Sequence, residues 1–151
     1  MKILVLNCGS SSIKYKLFGN KIIKGKIREA ERENIKPILC VGFGIKKQAS
    51  DKKIKEVIKK QLGAASKDII IAYEPVWAIG TGKAVKGEHA GEIAEFIKSK
   101  AKGAKVLYGG SVSAENSKEF AKIPELDGVL VGRASIEADN FIKIIKSFSN
   151  N

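Results

Sequence analysis

From residue 27 onward, short apolar runs alternate with amphipathic stretches, and this rhythm limits the possible folds more than any other feature. Pro37-Ile38-Leu39-Cys40-Val41-Gly42 is apolar throughout, as are residues 69–73, Val106-Leu107-Tyr108 and Val129-Leu130-Val131. Short apolar runs of this kind predict buried strands. Between them lie helical patterns. Residues 51–62 place Ile54, Val57, Ile58 and Leu62 on one face, with Gly63 as a stop, and residues 88–100 turn Ile93, Ala94 and Ile97 inward. Residues 27–33 and 114–121 read as shorter helices, and residues 140–148 close the chain through Phe141, Ile144, Ile145 and Phe148. Strands alternating with helices imply βα units and a parallel sheet. The pattern predicts an α/β fold of four such units. Periodicity alone fits half of a (βα)8 barrel and a small open sheet equally well.

The first 25 residues have a different rhythm. Ile3-Leu4-Val5-Leu6 is a buried-type strand, and residues 7–12 form a turn cluster. Ile13, Tyr15 and Leu17 then alternate with Lys14 and Lys16. Gly19-Asn20 is a hairpin signal, and Ile22-Ile23 opens a third strand ending near Gly25. No helical pattern separates these runs, so the expectation is a short antiparallel meander over residues 1–25, followed by the βα unit over residues 26–151.

Composition narrows the function classes. Apolar residues make up 44% and charged residues 29%, a globular profile, and no apolar run approaches the roughly 20 residues of a membrane span. No signal peptide is read at the start of the chain, and two cysteines, Cys8 and Cys40, make neither a metal site nor a disulfide framework; a reducing cytoplasm is expected. The net charge of +12 invites a nucleic-acid reading, but Arg28, Arg32 and Arg133 are the only arginines. Base readout favours arginine, and lysines such as Lys52, Lys53, Lys55, Lys59 and Lys60 recur on polar helix faces. They are read as solvated faces, with weak non-specific polyanion binding at most and no specific nucleic-acid partner.

The stretch that carries chemistry is Ala72-Tyr73-Glu74-Pro75-Val76-Trp77-Ala78-Ile79-Gly80-Thr81-Gly82-Lys83. It sets a carboxylate at a strand end before a Gly-rich loop whose backbone N–H groups can approach a ligand closely. Taken alone, Glu74 could simply pair with a surface lysine. The whole string, however, closely resembles the catalytic-glutamate and lid motif of triosephosphate isomerases. The rest of residues 26–145 follows that family in order. Pro37 to Gly42 resembles its fifth barrel strand, Leu107-Tyr108-Gly109-Gly110-Ser111-Val112 its seventh strand and phosphate loop, and Asp127-Gly128-Val129-Leu130-Val131-Gly132-Arg133-Ala134-Ser135 its eighth.

The resemblance implies the C-terminal half of a TIM barrel. Glu74 then matches the general base that moves a proton between adjacent substrate carbons, and desolvation makes such a carboxylate more basic. Gly80, Ser111 and Gly132 match positions whose backbone N–H groups hold the phosphate of a triose phosphate. Arg133 stands where the family has a second glycine, so its side chain either hinders a glycine-like backbone or adds a phosphate contact. Phe43 replaces a glutamate, which removes a supporting ion pair. The family's catalytic lysine lies in an Asn-x-Lys motif after its first strand and its electrophilic histidine in a Gly-His-Ser motif after its fourth, and neither motif is read in this chain. The sole histidine, His89, reads as an exposed helix residue. No cofactor or metal is implied.

Residues 1–18 closely resemble the start of acetate kinases, where the Asn7 position helps hold magnesium and residues 10–12 and Lys14 lie near nucleotide phosphates. The chain therefore reads as a chimera. Three functions follow: a catalytically incomplete half-barrel that binds phosphorylated ligands weakly, an active isomerase completed by another chain, or a non-enzymatic assembly module. Open strand edges and an inner face of Ile38, Cys40, Ile70, Ala72, Leu107 and Val129 predict a homodimer, two copies closing an eight-stranded barrel. The competing arrangement folds the N-terminal hairpin, with Ile3, Val5, Ile13 and Tyr15, over that face.

Overall fold

A computed structural model of the chain describes residues 2–4, 20–45, 47–66, 69–78 and 84–149. Its elements alternate as the sequence pattern requires. Strand β1 (Lys2–Leu4) is followed by α1 (Asn20–Arg32), β2 (Ile35–Val41) by α2 (Asp51–Leu62), and β3 (Ile70–Tyr73) by α3 (Gly87–Lys100). Then come β4 (Lys105–Tyr108), α4 (Ser117–Ala121), β5 (Gly128–Val129) and α5 (Ala138–Ser149), with 3₁₀ turns over Val76–Ala78 and Arg133–Ser135. The strands form one sheet in the order β1-β2-β3-β4-β5, and every pairing is parallel. Each strand lies beside its predecessor. All five helices contribute to one core cluster against the same face of the sheet, as in half of a barrel.

Side-chain alternation divides the core accordingly. Leu39, Val41, Ile71, Tyr73, Val106 and Tyr108 join Ile54, Ile58, Ile93, Ile97 and Phe120 in a layer between sheet and helices. Ile38, Cys40 and Ala72 form a second cluster on the opposite face, with Ile70, Leu107 and Leu130 against it. Fully burying one such aliphatic side chain contributes about 1.5–3 kcal/mol, so the first layer carries most of the stability. Local signals set the helix bounds. Ser50 caps α2 by accepting from Lys53 N at 3.4 Å, Asp51 occupies the first turn, and Lys59 and Lys60 complement the dipole at its end. Gly63 is indeed the C-cap, although its backbone stays right-handed.

Several expectations differ from the structure. Ile22-Ile23 is not a strand: Asn20–Arg32 is a helix that puts Ile23, Ile27 and Ala30 toward the core at helical spacing. The β-branched pair suggests a strand, but burial of this stripe decides the local structure. Strand β1 also pairs in parallel with β2, a partner outside residues 1–25. The rest of that expectation, including Cys8, Asn7 and residues 10–12, lies outside the described residues. Val129 sits opposite Tyr108 and faces the helices, whereas Leu130 takes the inner position.

The expected open inner face is closed in its centre, since Ile38, Cys40 and Ala72 are only 5%, 7% and 0% exposed within the single chain. Exposed apolar surface instead lies on and before α5, at Ile136, Phe141, Ile142 and Ile145, and at Ile22 of α1. Of the apolar stripe Phe141, Ile144, Ile145 and Phe148, only Ile144 is fully buried. None of the described helices is long and apolar enough to cross a membrane.

Candidate active site at the strand ends

Glu74 directly follows β3. Its N–H donates to the Val41 carbonyl at 2.7 Å, and the next link of the ladder, Gly109 N–H to Tyr73 O at 2.8 Å, holds the opposite side. The backbone on both flanks therefore fixes where the carboxylate starts. Two glycines make room for it. Gly109 lies so close that a Cβ there would sit 2.7 Å from Glu74 Cγ and 3.2 Å from Oε1. Gly42, at φ +107°, would place a Cβ 2.9 Å from the Glu74 carbonyl. The side chain of Gln61 steadies this corner, accepting from Gly42 N at 2.7 Å and donating to Phe43 O at 2.9 Å. Phe43 thus contributes its carbonyl where an ion pair was expected to be missing.

Burial pushes the Glu74 carboxyl above the usual carboxylate range, and a hydrogen bond from the Cys40 thiol offsets part of that rise. The Cys40 thiol is itself buried. A carboxyl whose folded pKa exceeds its unfolded value holds its proton longer in the native state. Stability then falls as pH rises from the unfolded value through the folded one. Glu74→Gln keeps the shape without the charge. It should therefore raise the melting temperature at mildly alkaline pH and lose that advantage in acid, as a pH series of thermal melts would show; an advantage independent of pH would contradict it.

The segment after Glu74 is tied to the exit of β4. Pro75 and Ala78 are buried, and Trp77 packs against the main core. The Ser111 hydroxyl donates to the Ala78 carbonyl. On the far side, Val85 N–H donates to the Tyr108 hydroxyl at 3.1 Å. Gly80 lies between, outside the described residues. Ser111 itself sits in a loop closed by Asn116, whose Nδ2 donates to Ser111 O at 2.8 Å while its Oδ1 accepts from Ser113 N at 2.8 Å.

The neighbouring strand supplies Gly132. Leu130 N–H extends the pairing with β4 by donating to Tyr108 O at 2.8 Å, so the loops bearing Ser111 and Gly132 leave adjacent strands at the same end. A Cβ on Gly132 would meet no heavy atom within 4 Å, so open space lies before it. Gly132 O accepts from Ser135 N and Oγ at 3.0 and 2.7 Å, which closes the turn Arg133–Ser135. Arg133 is exposed and sits in that turn without a positive φ; the only non-glycine residue described with one is Asn34. The concern that a side chain here strains the backbone is therefore removed.

His89 is placed differently from the sequence expectation. Its side chain is 25% exposed rather than free, with Nε2 3.4 Å from the Tyr73 hydroxyl and Nδ1 3.8 Å from Asp51. Tyr73 belongs to the helix-side layer, so His89 is on the far side of the sheet from Cys40. The text Asn-x-Lys does occur, at Asn34-Ile35-Lys36 and Asn116-Ser117-Lys118. The first enters β2, at the end opposite Glu74, and the second runs into α4. No group of three potential metal ligands gathers among the described residues.

Glu74 and the loops bearing Ser111 and Gly132 thus leave the carboxyl ends of three consecutive parallel strands. The triosephosphate isomerase family model matches residues 14–148. The chain belongs to the triosephosphate isomerase family. It is 40% identical over 148 residues to the triosephosphate isomerase of Nitrosomonas europaea, covering 87% of this chain and 58% of that relative. With the corresponding protein of Mycoplasmopsis pulmonis the identity is 42%, covering 83% and 53%. Pseudoalteromonas translucida gives 41%, covering 85% and 57%. The chain thus spans little more than half the length of these relatives. The family match begins at residue 14 and includes α1, well before residue 26.

Proposed function

We propose that this chain supplies the base and part of the phosphate cradle of a triose phosphate site, binding the phosphate weakly and isomerising the substrate negligibly on its own. The observation that carries the reading is Glu74, a partly desolvated carboxylate laid over the Gly109 backbone at the strand end. Burial of that kind makes a carboxylate a better base for a carbon-bound proton. Backbone N–H groups at Ser111 and Gly132 suit a phosphate, because fixed dipoles hold an anion without reorganising. The exposed guanidinium of Arg133 follows directly after Gly132 and adds positive charge to the same loop. Proton transfer also requires polarisation of the substrate carbonyl, and the family's lysine and histidine for that task are absent from their places in this sequence.

The exposed apolar residues of α5 support association as a homodimer, since apolar faces of this kind recruit partners. The acetate kinase-like start adds no activity to this reading: Asn7 and residues 10–12 would form only one wall of a nucleotide cleft.

A titration with inorganic phosphate followed through backbone amide resonances tests the cradle. The Ser111 and Gly132 amides should shift with a dissociation constant on the order of 1 mM, about −4 kcal/mol of binding. Amides that stay in place while phosphate rises well beyond that would remove the phosphate role.

A further inference from the structure

We propose that the groove between α4 and α5 is a second anion site, built to take a small anion carrying two or more linked phosphate groups. It lies between the helices, and Ala114 is the lining residue it shares with the loop that bears Ser111. The cavity measures about 520 Å³ and is lined by Lys118, Lys122, Lys143 and Lys146, with Ala114, Ala121 and Ser147 completing its walls. Its size is in the range of small-molecule sites.

Two helices bring the charges together. Lys118 and Lys122 are four residues apart along α4 and its C-cap, and Lys143 and Lys146 are three apart on α5. Like charges at those spacings repel one another within each pair, and a shared concavity adds repulsion across the groove. The obvious internal counter-charge is turned away. Glu119 Oε1 accepts from Gly87 N at 2.6 Å and thereby caps α3. Glu115 feels the charge of Lys143 but is fully exposed and does not line the groove. The ion pairs found among the described residues join Arg32–Glu29, Lys53–Glu56, His89–Asp51 and Lys98–Asp127, and none uses a groove lysine.

On α2 Glu56 pairs with Lys53 at 3.5 Å, whereas the acids interleaved with the groove lysines, Glu119 and Asp139, join none of the ion pairs just named. The groove is also held in shape. The buried Ser117 hydroxyl meets Ser147 Oγ at 2.9 Å, and Ser147 Oγ also lies 3.0 Å from Lys143 O. Among the described residues no aromatic side chain lines the cavity, so none of them stacks on a base there. Ammonium groups serve as point charges for phosphate rather than as bidentate readers. The groove therefore recognises the linked phosphates themselves.

Calorimetric titration of the full chain with inorganic tripolyphosphate at physiological salt tests the site. Binding should weaken about tenfold or more in a Lys118→Gln, Lys143→Gln, Lys146→Gln triple variant. A Lys52→Gln, Lys55→Gln, Lys59→Gln triple variant removes equal charge from α2 and should leave the affinity within about twofold. ATP should bind no tighter than tripolyphosphate. The proposal is overturned by equal weakening in both variants, which would mean bulk attraction to a basic protein. It also falls if tripolyphosphate does not bind, or if ATP binds far more tightly and shows that a base is read.

Discussion

Gly110→Ala should be among the most damaging single substitutions in this chain, costing about 3 kcal/mol. A Cβ at that position would overlap the Tyr108 hydroxyl and its Cζ, far inside van der Waals contact. Such an overlap cannot be relieved by a small rotation, because the Tyr108 ring has nowhere to go. It is 0% exposed and stacks on Phe120 with ring centroids 4.3 Å apart. Moving it would also release Val85 N–H, which the Tyr108 hydroxyl accepts. The damage therefore reaches the core layer, the start of α3 and the loop of Ser111 together. Tyr108→Phe is the natural comparison, since it removes only the hydroxyl and should cost about 1 kcal/mol. Chemical denaturation of both variants checks the order. A Gly110→Ala variant as stable as wild type would mean that the close approach of Gly110 to Tyr108 is wrong.

Much of the fold is legible in the residues alone. Strands β2, β3 and β4 and helices α2, α3 and α5 lie within a few residues of their expected bounds, because the strands are unbroken apolar runs and the helices hold their stripe over three turns or more. Where the pattern is short, the reading fails. The Ile22-Ile23 pair looks like a strand until Ile27 and Ala30 are counted with Ile23, and only packing against the sheet makes that count decisive. Strand β5 has two residues, Gly128–Val129, too few for alternation to tell which of Val129 and Leu130 faces the helices. For α5, the sequence shows a broad apolar face but not how little of it neighbouring elements cover.

The candidate site divides in the same way. Glu74, Ser111 and Gly132 stand out through a resemblance of motifs, and the strand order puts them at one end of the sheet. Their supports are invisible in the sequence, because they join residues distant along the chain through single side chains. Gln61 holds Gly42 and Phe43, Tyr108 holds Val85, and Asp127 Oδ2 accepts from Val106 N at 2.8 Å while pairing with Lys98 at 2.9 Å. Nothing in the periodicity of a helix or strand announces such a bond. His89 escapes the sequence reading for a related reason: only the fold shows that Tyr73 and Asp51 converge on it.

Glu74→Gln should leave the isomerisation rate of this chain almost unchanged, because almost no enzymatic rate is there to lose. In an intact site of this type, removing the proton from carbon creates negative charge on the neighbouring oxygen. A base without a group to stabilise that oxygen works against most of the barrier. Losing one preorganised donor of this kind typically lowers kcat by about 10²–10³, and on the proposed reading this chain supplies neither of two such groups. The only histidine pairs with Tyr73 on the helix side, and Lys36 enters β2 at the end away from Glu74. The direct measurement is the rate at which the purified chain interconverts glyceraldehyde 3-phosphate and dihydroxyacetone phosphate, with Glu74→Gln run beside it. A rate near the uncatalysed one, the same within a few-fold for both proteins, is the predicted result. A kcat in the ordinary enzymatic range of about 1–10³ s⁻¹ that disappears in Glu74→Gln would contradict the account and mean that association completes the site.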